Sequence, residues 1–206
     1  MQYFKRRSRL KIDEMLDEIL KTALSLFVIM GPFSSMPVFL SLTGGMNSKK
    51  KLSAVSRAIA TAAGVLFAFL FFGQFILNVF MIDFASLRIA GGVVLTILGI
   101  ELMLALSISG KRDYSPAITL IATPLLTGPG VIVTTMIFVQ EYGYLTTAIA
   151  AVIALLSSWA VLWLSGRISK SIGNYWINTI SRVTGLLLTA LAVELIINGA
   201  KAAFAV

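Results

Sequence analysis

The chain contains neither cysteine nor histidine, and the two absences remove most of the chemistry by which enzymes are recognised. Without cysteine there is no disulfide framework, no thiol nucleophile and no iron–sulfur site. Without histidine there is no HExxH zinc site and no Ser-His-Asp triad. The GxSxG elbow and the Walker A loop are missing too, so the chain does not drive transport with ATP through a P-loop. Acidic residues are scarce, 9 Asp and Glu against 17 Lys and Arg, a balance of +8. In a soluble protein that excess would raise the question of nucleic acid. Here the basic residues sit in short loops between apolar runs, where anionic lipid head groups are the natural contact and no nucleic-acid partner is implied. Nothing in the residues calls for a cofactor or a metal.

What is present fixes the solvent. With 58% hydrophobic residues, 13% charged ones and a mean hydropathy of +0.93, the chain reads as an integral membrane protein. A spanning helix needs roughly 20 mainly apolar residues. Six segments meet that requirement: 22–42, 58–80, 86–108, 116–139, 145–165 and 183–204. The short alternating segments of a β-barrel are absent, so the expected class is all-α. Residues 1–21 form a charged tail, and Leu10, Met15, Leu16, Ile19 and Leu20 among its acids fit either a short surface helix or a solvated tail.

One pattern is written twice. Gly92, Leu95, Thr96, Glu101 and Leu102 return as Gly185, Leu188, Thr189, Glu194 and Leu195, 93 residues later. A second signature, Pro32 and Pro37, returns as Pro124 and Pro129. Order and spacing agree, which argues for a duplicated unit, residues 22–108 and 116–204, with three spans in each. Two units with odd numbers of crossings must be inserted in opposite senses, the inverted-repeat plan found above all in transporters. Loop charge supplies an orientation. Lys49, Lys50, Lys51, Arg57, Lys111, Arg112, Arg167, Lys170 and Arg182 all fall on one side of a six-helix plan, and the opposite loops 81–85 and 140–144 carry no Lys or Arg. The positive-inside rule makes the first side cytoplasmic and both termini extracellular. The basic tail, with Lys5, Arg6, Arg7, Arg9 and Lys11, pulls the other way.

Two features inside the spans carry candidate chemistry. Glu101 and Glu194 are the ionisable groups deepest in apolar segments. A carboxylate in hydrocarbon costs several kcal/mol unless it is paired, hydrated or protonated. Each is therefore either a proton carrier or a structural carboxyl bonded to a neighbouring helix, to Arg88 or to Arg182. The proline pairs are the second feature. Pro32 and Pro37 lie in the first span beside Gly31, and Pro124 and Pro129 in the fourth beside Gly128 and Gly130. A proline inside a helix removes one donor and frees the carbonyl four residues earlier, here those of Val28, Phe33, Leu120 and Leu125. Broken backbone survives in a bilayer only where protein or a wet cavity satisfies it. Its exposed helix ends suit a carboxylate at one side and an ammonium at the other, hence a zwitterion. Gly31, Pro32, Ser34, Ser35, Thr127, Gly128, Pro129 and Gly130 are the expected substrate-binding residues, with the glycines allowing backbone to approach the ligand.

At these motifs the chain resembles the MarC family of small six-helix inner-membrane proteins, in particular its small-neutral-amino-acid transporters of the SnatA type. The resemblance is carried by Gly31-Pro32-Phe33 with Pro37 and Phe39, by Leu87 to Gly92, and by Thr123-Pro124-Leu125-Leu126-Thr127-Gly128-Pro129-Gly130. Ser181, Arg182, Gly185 and Ile197-Asn198-Gly199 extend it to the end of the chain. The family motif usually has Asn or Asp where this chain has Gly31. What the resemblance implies is a cell-membrane, multi-pass secondary transporter that takes up glycine, alanine and similar amino acids. Its coupling would be to H+, with Na+ as the other candidate ion. Two alternatives stand beside it: an intramembrane enzyme using Glu101 and Glu194 as a carboxylate pair, and a membrane protein with a structural role and no transport.

Overall fold

The computed structural model describes residues 2–104 and 126–204. Helix α1 covers Gln2–Met30, α2 Pro32–Leu42, α3 Ser48–Val79, α4 Phe84–Leu104 and α5 Pro129–Phe204, and no strand occurs among the described residues. The tail and the first span are one helix: α1 runs 29 residues without a break before Met30.

A 76-residue helix would be about 114 Å long at 1.5 Å per residue, far beyond any bilayer, and α5 does not run straight. Gly143 (φ 81°, ψ 169°) and Gly173 (φ 79°, ψ 159°) sit in a region that side-chain-bearing residues avoid, and each turns the chain. α5 is thus three limbs, 129–142, 144–172 and 174–204. The turns fall inside the loops expected at 140–144 and 166–182.

Five stretches are long and apolar enough to cross a membrane: Glu14–Pro37, Ser48–Val79, Phe84–Leu104, Pro129–Ser171 and Tyr175–Phe204. The fourth of these contains the Gly143 turn, and its first limb is too short to span alone. The start of the expected span 116–139, with Pro124, Leu120 and Leu125, lies outside the described residues, as does the loop bearing Lys111 and Arg112.

Each span shows one face to protein and another to lipid. In α3, Ala62, Leu66, Leu70, Gly73 and Leu77 recur every three or four residues and are buried, while Phe71, Phe72, Phe75 and Val79 are exposed. The N-terminus of α3 is capped by Asn47, whose side chain accepts from the Lys50 N–H at 2.9 Å. The main core joins Leu26, Met30, Met36 and Phe39 of α1 and α2 to Leu66 and Leu70 of α3 and to Leu155 and Leu162 of the second limb.

The tightest packing lies between α4 and the third limb of α5. A Cβ on Gly99 would stand 2.8 Å from the Gly185 carbonyl oxygen, and one on Gly185 2.7 Å from the Gly99 carbonyl oxygen. A Cβ on Gly92 would stand 2.7 Å from the Ala192 oxygen, and one on Gly199 2.9 Å from the Ala85 oxygen. Numbers rise on one helix as they fall on the other, so the two run antiparallel with backbones in contact. Leu95 and Leu188, at equivalent places in the twice-written motif, are buried together at the centre of the crossing. Thr96 and Thr189, also equivalent, donate to the carbonyls of Gly92 and Gly185.

The ends of the helices sort into two groups. A Cβ on Gly166 would lie 2.9 Å from the Lys51 ammonium, so the start of α3 and the end of the second limb share one end of the molecule. The start of α4, the Gly143 turn and the last turns of α5 share the other, tied by Arg88 to Glu141 and by Ala85 to Gly199.

Beside the Thr189 hydroxyl, the Gly185 carbonyl and the Thr189 amide face Gly99, and the Gly99 carbonyl and the Met103 amide face Gly185; such backbone atoms cannot turn aside. Gly99→Ala and Gly185→Ala should each destabilise the protein by about 1–3 kcal/mol, the usual cost of overpacking. Gly64→Ala, with no atom of the described residues within 4 Å of the new methyl, should be neutral or stabilise by up to about 1 kcal/mol. Thermal unfolding in detergent measures all three.

Candidate functional site

The first break is at Gly31. Its φ of 54° and ψ of 52° place it in the left-handed region, between the last turn of α1 and the first of α2. Pro32 follows as the first residue of α2, where its missing donor costs nothing and its fixed φ suits the helix. Two expectations change here. Pro37 does not break the chain; it stays inside α2. The Val28 carbonyl is not left open, because the Gly31 N–H reaches it at 3.1 Å and that of Phe27 at 3.2 Å. Ser35 bonds back from both its N–H and its hydroxyl to the Gly31 oxygen, at 3.1 and 3.2 Å. Ser34 differs: its Oγ is buried and has no hydrogen-bond partner among the described residues.

The second break shows its far side. Pro129 opens the first limb of α5 just as Pro32 opens α2, and the Gly128 oxygen accepts from the N–H of Val131 at 3.0 Å and of Ile132 at 3.3 Å. Thr127, 2% exposed, has a hydroxyl without a partner among the described residues. No atom of the described residues lies within 4 Å of a Cβ placed on Gly128. Gly130 differs: Leu95 and Leu98 press against it, so it serves helix packing. The described breaks therefore differ in register, Gly31-Pro32 using the first proline of its pair and Gly128-Pro129 the second.

Both breaks border one interior. Gly130 meets Leu95 at the α4 crossing, and Ile29, two residues before Gly31, packs against the same cluster of Leu95, Leu188 and Ala192. A cavity of about 440 Å³ adjoins the first break, with Phe27, Val28, Pro32 and Phe33 on one wall and Trp176 and Thr184 of the third limb on the other. Its walls are apolar apart from threonine hydroxyls that are bonded back to their own helix.

The two carboxylates stand elsewhere. Glu194 is exposed on the third limb, where its Oε1 accepts from the Asn198 amide at 3.1 Å. Glu101 is half-buried on α4, and no hydrogen bond or ion pair joins it to Glu194 or to either arginine. Arg88 pairs instead with Glu141, at 2.6 Å, from the start of α4 to the end of the first limb. The sequence assigned no role to Glu141, and Asn198 entered only as part of the family motif. Glu141 was visible as an acid placed at the same membrane boundary as Arg88, in a loop read only for its lack of positive charge. The groups held in reach of a metal would be clusters of His, Cys, Asp or Glu, and none occurs among the described residues.

Gly, Asn and Asp are the residues that visit the left-handed conformation of position 31 readily. Gly31→Asn should therefore be tolerated, and the new side chain can also cap α2. Gly31→Val should cost about 1–2 kcal/mol from the backbone alone. Equal melting temperatures for the two variants would show that φ at this position is not what selects the residue.

Comparison with known proteins places the chain among integral membrane proteins. Residues 16–204 match the model of the MarC family integral membrane proteins. A UPF0056 membrane protein of Methanocaldococcus jannaschii is 30% identical over 192 residues, covering 87% of this chain and 94% of its own. The UPF0056 inner membrane protein YhgN of Escherichia coli K12 is 29% identical over 199 residues, 90% of this chain and 98% of its own. A UPF0056 membrane protein of Pyrococcus horikoshii is 29% identical over 187 residues, 88% and 93% of the two chains. No solved structure matches. With nearly its whole length aligned to that family, and apolar helices long enough to cross the bilayer in the places the alignment covers, this chain belongs to the MarC family of integral membrane proteins.

Proposed function

We propose that the protein is a secondary transporter of small neutral amino acids, glycine and alanine foremost, working by alternating access around a site between the two helix breaks. The observation that supports this reading is that, of the six buried hydroxyls without a partner among the described residues, two stand beside the breaks, Ser34 Oγ and Thr127 Oγ1. An unmet hydroxyl in an apolar interior costs about 1–3 kcal/mol, and a small polar substrate arriving between them removes that cost. The first turn of α2 offers its N–H groups to a carboxylate. No atom of the described residues crowds Gly128, where a ligand can lie against the backbone.

Six spans in two inverted units complete the reading. Its support is the reciprocal crossing of α4 and the third limb, in which Gly99 faces Gly185 while Gly92 faces Ala192, the position equivalent to Gly99. Such exchange of equivalent partners is what a two-fold relation between duplicated units produces. The cation-rich end, with Lys49 to Lys51 beside Gly166, is assigned to the cytoplasm and both termini to the outside. Coupling is assigned to H+ through Glu194, with Glu101 as its counterpart; Na+ is the competing ion.

Purified protein in liposomes should accumulate radiolabelled glycine and alanine under an imposed pH gradient and not under a Na+ gradient alone. Ser34→Ala with Thr127→Val should raise the KM for both by about tenfold, the worth of one or two hydrogen bonds. Folded protein that moves neither amino acid would end the proposal.

Glu194→Gln keeps size and hydrogen bonding to Asn198 but cannot titrate. It should abolish accumulation driven by the pH gradient and leave exchange of internal for external alanine intact. Accumulation at the parent level would remove Glu194 from coupling.

A further inference from the structure

We infer that Arg88 and Glu141 form the gate that closes the Gly143 end of the pathway, an inference that rests on the alternating-access reading. Their contact, Arg88 Nη2 to Glu141 Oε1 at 2.6 Å, is the only ion pair among the described residues that joins two elements; the other, Lys21 with Asp17, lies within α1. It connects the first three-helix unit to the second. Alternating access moves those units against each other, so a contact between them at one end must part in every cycle.

Two neighbouring features distinguish a gate from a staple. The first is where the pair sits in its seam. α4 and the first limb pack antiparallel from Arg88 and Glu141, through Gly91 against Val133, to Leu95 against Gly130 at the second break. The pair therefore closes the end of the seam that leads to that break. The crossing of Gly99 with Gly185 also joins the units, but there backbone lies on backbone around Leu95 and Leu188, a geometry suited to a pivot. The ion pair is different. Its side chains are 21% and 32% exposed, so water can take over each partner when it opens, and an exchange of that kind is nearly balanced.

The second feature is the cavity. From Pro32 and Val28 it extends to Trp176 and Thr179, beside the Gly173 turn at the opposite end of the molecule. The first break is thus approached from the Gly173 end while the Gly143 end is held by Arg88 and Glu141. Arg88 Nε is buried without a partner among the described residues, so the guanidinium depends on Glu141 for its position. Removing the carboxylate frees the arginine to swing to water.

The chain has no cysteine, so Val28→Cys places a single thiol on the cavity wall. In liposomes, a membrane-impermeant maleimide should label it from the Lys49 to Lys51 side and only slowly from the other. Adding Glu141→Gln should raise labelling from the Glu141 side by about tenfold, as a shifted two-state population would. The exchange Arg88→Glu with Glu141→Arg should restore the parent rates. Arg88→Lys, which keeps the charge and loses the fork, should fall between and serves if the glutamine variant does not fold. Unchanged labelling in a folded Glu141→Gln or Arg88→Lys variant, or failure of the exchange to restore closure, overturns the gate. Because labelling needs no substrate, altered labelling without amino-acid uptake keeps the gate and removes the transport reading. Uptake with unaltered labelling removes the gate alone.

Discussion

Contact between two helix backbones organises this protein. Where α4 crosses the third limb of α5, Gly92, Gly99, Gly185 and Gly199 leave no room for a single Cβ, and each is faced by a carbonyl oxygen of the other helix, with side chains such as Ile196 and Thr189 beside it. Lipid tails are as apolar as leucine, so burial gives little reason for helices to associate in a bilayer, and close packing supplies it instead. The crossing sets α4 against the third limb. The first limb then follows along α4 through Gly91 and Gly130, and that seam brings the second break to the same interior as the first.

A second constraint comes from the solvent. Hydrocarbon offers no hydrogen bonds, so an interrupted helix must satisfy its own ends. At Gly31 the chain meets most of that demand locally. The glycine N–H closes α1, Pro32 brings no donor that needs a partner, and Ser35 ties itself to the Gly31 oxygen. What the first break leaves over among the described residues is the Ser34 hydroxyl, and the second break leaves that of Thr127. A break that is nearly self-sufficient can hold its shape without substrate and still present groups to one. Membership of the MarC family gives the architecture a setting, and these unmet hydroxyls give it a chemical direction.

The polar pairs divide along the same lines. Arg88 and Glu141 sit at a helix end where water can reach them, which suits a contact that opens. Glu194 and Asn198 lie four residues apart on one exposed face. That i to i+4 bond keeps the carboxylate from standing alone in an apolar surface, whether or not it carries a proton.

Much of this was legible in the chain. Composition and run length gave the membrane and the all-α class, because a spanning helix needs an apolar stretch that nothing else produces. Glycine at 143 and 173 lay within loops already marked by charge and polarity, and the proline and glycine motif located the first break. The duplicated motif could be read as a pattern, since identical spacing needs no folding to be seen. Its consequence could not, because only packing brings position 99 against 185 and 92 against 192. The role of Pro37 depended on whether the surrounding helix could carry a proline, and that of Gly130 on the presence of Leu95, which is 35 residues away in sequence and in contact in space. The choice of Glu141 rather than Glu101 or Glu194 as the partner of Arg88 was likewise tertiary. Sequence gives the depth of a charge along its own helix, and only the arrangement of helices decides which opposite charge stands within reach.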